Sequence, residues 1–218
     1  MIFKMRCLVF GDSLFEGVNV KKTIAEYMSD LNPNYTIDNM AVSGTTIGEY
    51  SIYPVDGSSL LSTYELEGIN PKHIDYIFLC YGSNDISAFM CGFITVRQII
   101  VNFVKAVDGL KQYYPNAKIV FLSVTSYGEI LRKYAELQCN YLENDYFKGY
   151  NFTFPVSVYV DNYATLHDQI VASQEKTGIK VIPMIQNPHF FDKCIGSDNL
   201  HPNDLGNKLI AETIMREL

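Results

Sequence analysis

Apolar positions along the chain follow two rhythms. Short continuous runs alternate with stretches in which apolar residues recur every three or four positions. Arg6 to Phe10 is the first run, and it ends at Gly11. Ile74 to Tyr81 and Lys118 to Val124 are the strongest, and Ile179 to Met184 opens after Gly178. Tyr35 to Met40 is a weaker fifth run. Continuous rather than alternating apolar character predicts strands covered on both faces. Between them, Val20, Ile24, Tyr27, Met28 and Leu31 predict a helix. So do Val96, Ile99, Ile100, Phe103, Val104, Val107, Leu110 and Tyr114, with Thr95 and Gln98 as a capping box and Pro115 as a stop. A third helix lies within Val158 to Thr177 and ends at Gly178. The last follows Pro202, with Leu205, Leu209, Ile210, Ile214 and Leu218 on one side. Proline suits a first helical turn, where its missing N–H has no partner to lose.

Strand–helix alternation implies right-handed crossovers and an α/β fold, with helices on both faces of a parallel sheet. Five strands in a flavodoxin-like order fit 218 residues, which form one domain over 1–218. In such sheets ligands bind beyond the carboxyl ends of the strands. The segments to inspect are therefore Gly11-Asp12-Ser13, Ala41 to Thr46, Gly82 to Asp85, Thr125 onward, and the stretch from the fifth strand to His201. An aromatic-rich insertion at about 127–155 carries Tyr127, Tyr134, Tyr141, Tyr146, Phe147, Tyr150, Phe152 and Phe154. It is longer than a normal strand–helix loop and so should hold some helix. It reads either as extra packing over the core or as a wall over a pocket at the same sheet edge.

Composition narrows the classes. Apolar residues make up 48% and charged residues 19%, a globular balance that excludes disorder. A net charge of −7 lacks the basic footprint of a nucleic-acid binder. No apolar run reaches the ~18–20 residues of a membrane helix. Five cysteines without a C-x-x-C indicate neither a zinc site nor a disulfide framework, and Cys7 and Cys80 read as small buried hydrophobes. With no secretory signal at its start the chain reads as cytoplasmic, although a processed form would look the same. Asn34-Tyr35-Thr36 and Asn151-Phe152-Thr153 match the glycosylation pattern, and without a signal they read as chance.

The candidate chemistry sits at the strand ends. Gly11-Asp12-Ser13-Leu14 is a polar turn that caps a helix, or a serine nucleophile projected into the crevice. Gly82-Ser83-Asn84-Asp85 is a turn by composition, or places the Asn84 amide toward a developing oxyanion. Gly44 serves a tight turn, or offers its N–H to the same point. Asp198 and His201, three apart, shape a turn, or form an orienter and a general base. Asp12 and Tyr127 are candidate substrate-binding residues. A metal reading of His189, Cys194, Asp198 and His201 matches no standard zinc spacing, and His189 between Pro188 and two phenylalanines suggests packing. His73 and His167 read as structural.

Together these four segments resemble the GDSL, or SGNH, hydrolases. The family's four named residues match Ser13, Gly44, Asn84 and His201, with Asp198 completing a triad. The likeness runs from Phe10 to Pro202, and the central and insertion regions carry no motif. The nucleophile segment lacks the G-x-S-x-G of ordinary α/β-hydrolases. The resemblance implies a three-layer α/β/α sandwich and hydrolysis of carboxylic esters without metal or cofactor. It also implies an oxyanion held by the Ser13 N–H, the Gly44 N–H and Asn84. The implied partner is a small-molecule or carbohydrate ester, small acyl or O-acetyl foremost, with no nucleic acid or membrane span. Three alternatives stay open: an acyltransferase on the same site, a lipase or thioesterase for longer chains, and an inert binding protein. Oligomeric state is not legible.

Overall fold

A computed structural model describes residues 4–48, 60, 68–142 and 155–218. All five predicted runs are strands: β1 (Met5–Gly11), β2 (Tyr35–Asn39), β3 (Tyr76–Cys80), β4 (Lys118–Thr125) and β5 (Lys180–Ile185). They form a parallel sheet in the order β2-β1-β3-β4-β5. The position of each strand explains its pattern. β1, β3 and β4 lie inside the sheet and are buried over most of their length. β2 is an edge strand with partly exposed residues, which is why its run is the weakest. Pro183 lies in the other edge strand, β5, where a missing backbone donor costs least.

Among the described residues the α-helices include α1 (Ser13–Glu16), α2 (Ile24–Leu31), α3 (Ser83–Met90), α4 (Val96–Tyr113), α5 (Glu129–Tyr141), α6 (Val156–Lys176), α7 (Phe190–Lys193) and α8 (Asp204–Glu217). The predicted capping box opens α4: Gln98 N–H donates to Thr95 Oγ1, and Thr95 N–H donates to Gln98 Oε1. Val20 lies outside α2, because a second capping box, Thr23 with Glu26, starts that helix at Ile24. α2 packs on α8, and α4 and α5 both pack on α6. Right-handed crossovers from a sheet whose order runs both ways from β1 put these two helix groups on opposite faces. The result is a three-layer α/β/α sandwich.

α8 buries part of its predicted face, Ile210 and Ile214, but not all of it. Its cap is Asn203, so Pro202 precedes the helix rather than sitting in its first turn. Leu205 and Leu209 are exposed, and the buried stripe is Gly206, Asn207, Ile210, Ala211 and Ile214. Close approach decides this. A Cβ at position 206 would lie 2.5 Å from the Cys194 carbonyl oxygen, so the helix packs through its small-residue side.

α5 occupies the first part of the aromatic segment. Tyr146, Phe147, Tyr150, Phe152, Phe154 and the Asn151-Phe152-Thr153 pattern lie outside the described residues. Cys7 and Cys80 are both buried, at opposite ends of the paired stretch of β1 and β3, where Cys7 faces Tyr76 and Cys80 faces Gly11 in register. Among the described residues no helix is long and apolar enough to cross a membrane.

Candidate active site

The strand order reverses between β1 and β3, and a crevice opens above their carboxyl ends at such a point. Ser13 enters it directly from β1. Asp12 caps α1, its Oδ1 accepting the Leu14 N–H at 3.1 Å, and Ser13 is the first helical residue. Ser13 Oγ lies 2.8 Å from His201 Nε2, although the two are 188 residues apart. His201 Nδ1 lies 2.7 Å from Asp198 Oδ2.

The turn before α8 explains how residues three apart meet. Asp198 Oδ1 accepts the N–H groups of Leu200 and His201, both at 3.0 Å. Asn199 takes the left-handed region at φ 60°, which asparagine tolerates better than most residues. Gly196 N–H closes the turn on the His201 carbonyl at 2.7 Å. Burial alone would push the Asp198 carboxyl up. Hydrogen bonds from the Leu200 N–H, the His201 ring and the His201 N–H outweigh it and hold the carboxyl below its ordinary range. A carboxylate ionised at neutral pH faces Nδ1, so Nδ1 carries the proton and Nε2 is left to accept one from Ser13.

Gly44 is at the third position of a turn from Val42 to Thr45, with φ 76°. That position requires the left-handed region in a type II turn, which glycine enters at no steric cost. Thr45 Oγ1 donates to the Val42 carbonyl at 2.7 Å and reinforces the turn. Gly82, Ser83, Asn84 and Asp85 are not the turn their composition suggests. Gly82, at φ 128°, is the cap of α3, and the other three form its first turn. Asn84 Nδ2 donates to the Thr45 carbonyl at 2.9 Å, which spends one of its two amide hydrogens.

A cleft of about 370 Å³ joins these groups. Asp12, Ser13, Gly44, Asn84 and His201 line it, together with Leu14, Tyr134, Gln138 and Tyr141. The last three are spaced four and three apart on α5 and share one helix face. Of the two readings of the aromatic segment, a wall over the pocket is the one that Tyr134 and Tyr141 fit, and the helical spacing adds Gln138 to it. The Tyr141 ring stands edge-on to the His201 imidazole, with centroids 5.6 Å apart. Behind the wall, Tyr163 OH donates to Ser83 Oγ at 2.9 Å, and the Tyr134 hydroxyl shares a hydrogen bond with the same Oγ at 3.3 Å.

The readings of Tyr127 and His189 need correction. Tyr127 is 56% exposed and does not line the cleft; it stands edge-on to buried His167. It lies before α5 begins, and the described residues of this segment that line the cleft are on the inner face of that helix. His189 does not pack. Its side chain is 83% exposed and pairs with Asp192 at 3.1 Å, so it stays apart from Asp198 and His201. Asp12 lines the cleft but is itself buried, and burial pushes its carboxyl up to about 7 against the opposing Leu14 N–H.

A hydroxyl, an imidazole and a carboxylate hydrogen-bonded in series beside a cleft have the geometry that nucleophilic acyl transfer needs. The chain belongs to the GDSL-like Lipase/Acylhydrolase family, whose model matches residues 9–209. Solved structures share the fold at low identity. A family two carbohydrate esterase from Clostridium thermocellum, in complex with cellohexaose, is 14% identical with a TM-score of 0.64. That match covers 99% of this chain, which spans only 63% of the esterase chain. A carbohydrate acetylesterase family member from Sinorhizobium meliloti is 14% identical, with a TM-score of 0.63 and 98% and 96% of the two chains covered. Phospholipase A1 from Streptomyces albidoflavus NA297 is 13% identical, with a TM-score of 0.59 and 98% of each chain covered. No curated protein matches the chain in sequence.

Proposed function

We propose that the protein hydrolyses small acyl esters, O-acetyl esters of small molecules or carbohydrates foremost, with Ser13 as nucleophile, His201 as base and Asp198 as its orienter. The observation that carries this is the 2.8 Å approach of Ser13 Oγ to His201 Nε2. Ser13 Oγ attacks the ester carbonyl while His201 Nε2 takes its proton. The imidazolium that forms is stabilised by Asp198, whose carboxylate is already ionised. Negative charge develops on the former carbonyl oxygen. The Ser13 N–H, the Gly44 N–H and the remaining amide hydrogen of Asn84 receive it. The C–O bond to the leaving alcohol then breaks, and His201 returns the proton to that oxygen. Water, deprotonated by His201, attacks the acyl-enzyme, and the acid leaves with Ser13 restored.

The small-acyl preference rests on the cleft. It is about 370 Å³ and is walled by Tyr134 and Tyr141, a size that suits a small acyl group. The carbohydrate esterases among the structural relatives make sugar acetates the first substrates to try. The test is a series of nitrophenyl esters of increasing chain length and acetylated sugars, with acid release and acyl transfer to an added alcohol measured side by side. The acetate is expected to be cleaved fastest, with acid as the main product. Rates that rise steadily to long chains, or transfer that dominates in water, would replace the reading with a lipase or an acyltransferase.

A further inference from the structure

Asp85 is among the most thoroughly buried carboxyl groups in the molecule, at 0% exposure. A buried carboxyl is costly unless it holds something in place. Both its oxygens approach the Ile47 N–H, at 3.2 and 3.3 Å. The neighbouring Asn84 donates to the Thr45 carbonyl at 2.9 Å. Two adjacent side chains on the first turn of α3 thus grip one loop at points two residues apart, one through a carbonyl and the other through an N–H. That loop is the one that carries Gly44. A third tie comes from the Val42 N–H, which donates to the Gly11 carbonyl at the end of β1 at 3.0 Å. The loop is therefore fastened to both strand ends that flank the crevice.

We infer that Asp85 is a positioning residue for the oxyanion site: by holding the Ile47 N–H it fixes the Gly44 turn against α3. The Gly44 N–H and the Asn84 amide then keep one spacing toward the developing oxyanion. This rests on the hydrolase reading above, and it assigns a role to a residue that touches no reacting atom. The required chemistry is a hydrogen-bond acceptor at the Asp85 position, not a negative charge. An asparagine retains a carbonyl oxygen for the Ile47 N–H. A leucine fills similar volume but accepts nothing.

The experiment compares wild type, D85N and D85L in the full chain. It reads kcat and KM on nitrophenyl acetate, the rate of fluorophosphonate labelling, and the amide proton shift of Gly44 by NMR. D85L is expected to lose about 10²-fold in kcat, the cost of one oxyanion donor, with KM within about threefold. Its labelling should slow in parallel and its Gly44 amide should shift. D85N should recover kcat to within about tenfold of wild type. D85L and Asn84→Ala combined should lose less than the product of the two single losses, because both act on one site. If D85L does not fold, D85A takes its place in every comparison. A folded D85L or D85A with kcat within threefold of wild type overturns the inference, as does a D85N as impaired as the apolar variant. A wild-type protein inert to both the ester and the label would instead refute the hydrolase reading and this inference with it.

Discussion

Two aspartates near one cleft, Asp198 and Asp85, end in opposite electrostatic states. Asp198 sits in a surface turn with its side chain 16% exposed, and it accepts two N–H groups and an imidazole. Its carboxyl is held below the ordinary range. Asp85 is enclosed on the first turn of α3, and burial pushes its carboxyl up to about 7, against the opposing Ile47 N–H. The Asp12 charge pushes in the same direction as burial. The difference teaches that hydrogen-bond count against desolvation, not residue type, sets what a carboxyl can do. Asp198 is suited to stabilise the imidazolium of the proposed reaction. Asp85 is suited to hold backbone in place and to avoid carrying full charge at neutral pH.

The sharpest way to break the comparison is Asp198→Asn. It keeps the shape of the turn but presents an amide where an anion stood, and it removes the reason for Nδ1 to carry the proton. A loss of about 10³–10⁴-fold in kcat is expected, with the fold retained by circular dichroism. A loss below tenfold would mean that His201 is oriented by something else. Asn84→Ala ranks next. It removes a proposed oxyanion donor and one grip on the Gly44 turn, and it should cost about 10²–10³-fold in kcat with little change in KM. A rise in KM alone would assign Asn84 to ground-state binding.

The smallest effect concerns stability against pH. Folding raises the Asp12 and Asp85 carboxyls from 3.8 to about 7. Between those values the folded protein holds protons that the unfolded chain has released, so these two groups make stability fall as pH rises from about 4 to about 7. Asp198 acts in the other direction: its contribution is present above 3.8 and is lost as pH falls through its lowered value. Tm is therefore expected to be higher at pH 5 than at pH 8. Asp12→Asn, which removes one of the two raised carboxyls, should narrow the gap by about 2–4 °C per kcal/mol recovered. An unchanged gap would show that the Asp12 carboxyl is not raised.

The strands were legible because burial on both faces writes continuous apolar runs, and the edge position of β2 is visible as a weaker one. The residues after β1, β3 and β5 were legible because the topology rule names those places. Three features were not. Ser83, Asn84 and Asp85 have turn composition, and only the backbone angle of Gly82 reveals that they open a helix. Tyr127 and Tyr141 are alike in composition, and only the start of α5 decides that one faces His167 and the other His201. The buried stripe of α8 keeps Ile210 and Ile214 but turns toward Gly206 and Ala211 and away from Leu205 and Leu209, because Gly206 packs closely on the Cys194 carbonyl. In each case the deciding fact is a direction in space, which residue type does not carry.

The most direct measurement is to treat the wild-type protein with a fluorophosphonate and locate the adduct by peptide mass spectrometry. The account predicts a single phosphonylated residue, Ser13, formed in step with loss of esterase activity and absent from a folded Ser13→Ala variant. An adduct on another residue, or undiminished ester cleavage by Ser13→Ala, would contradict it.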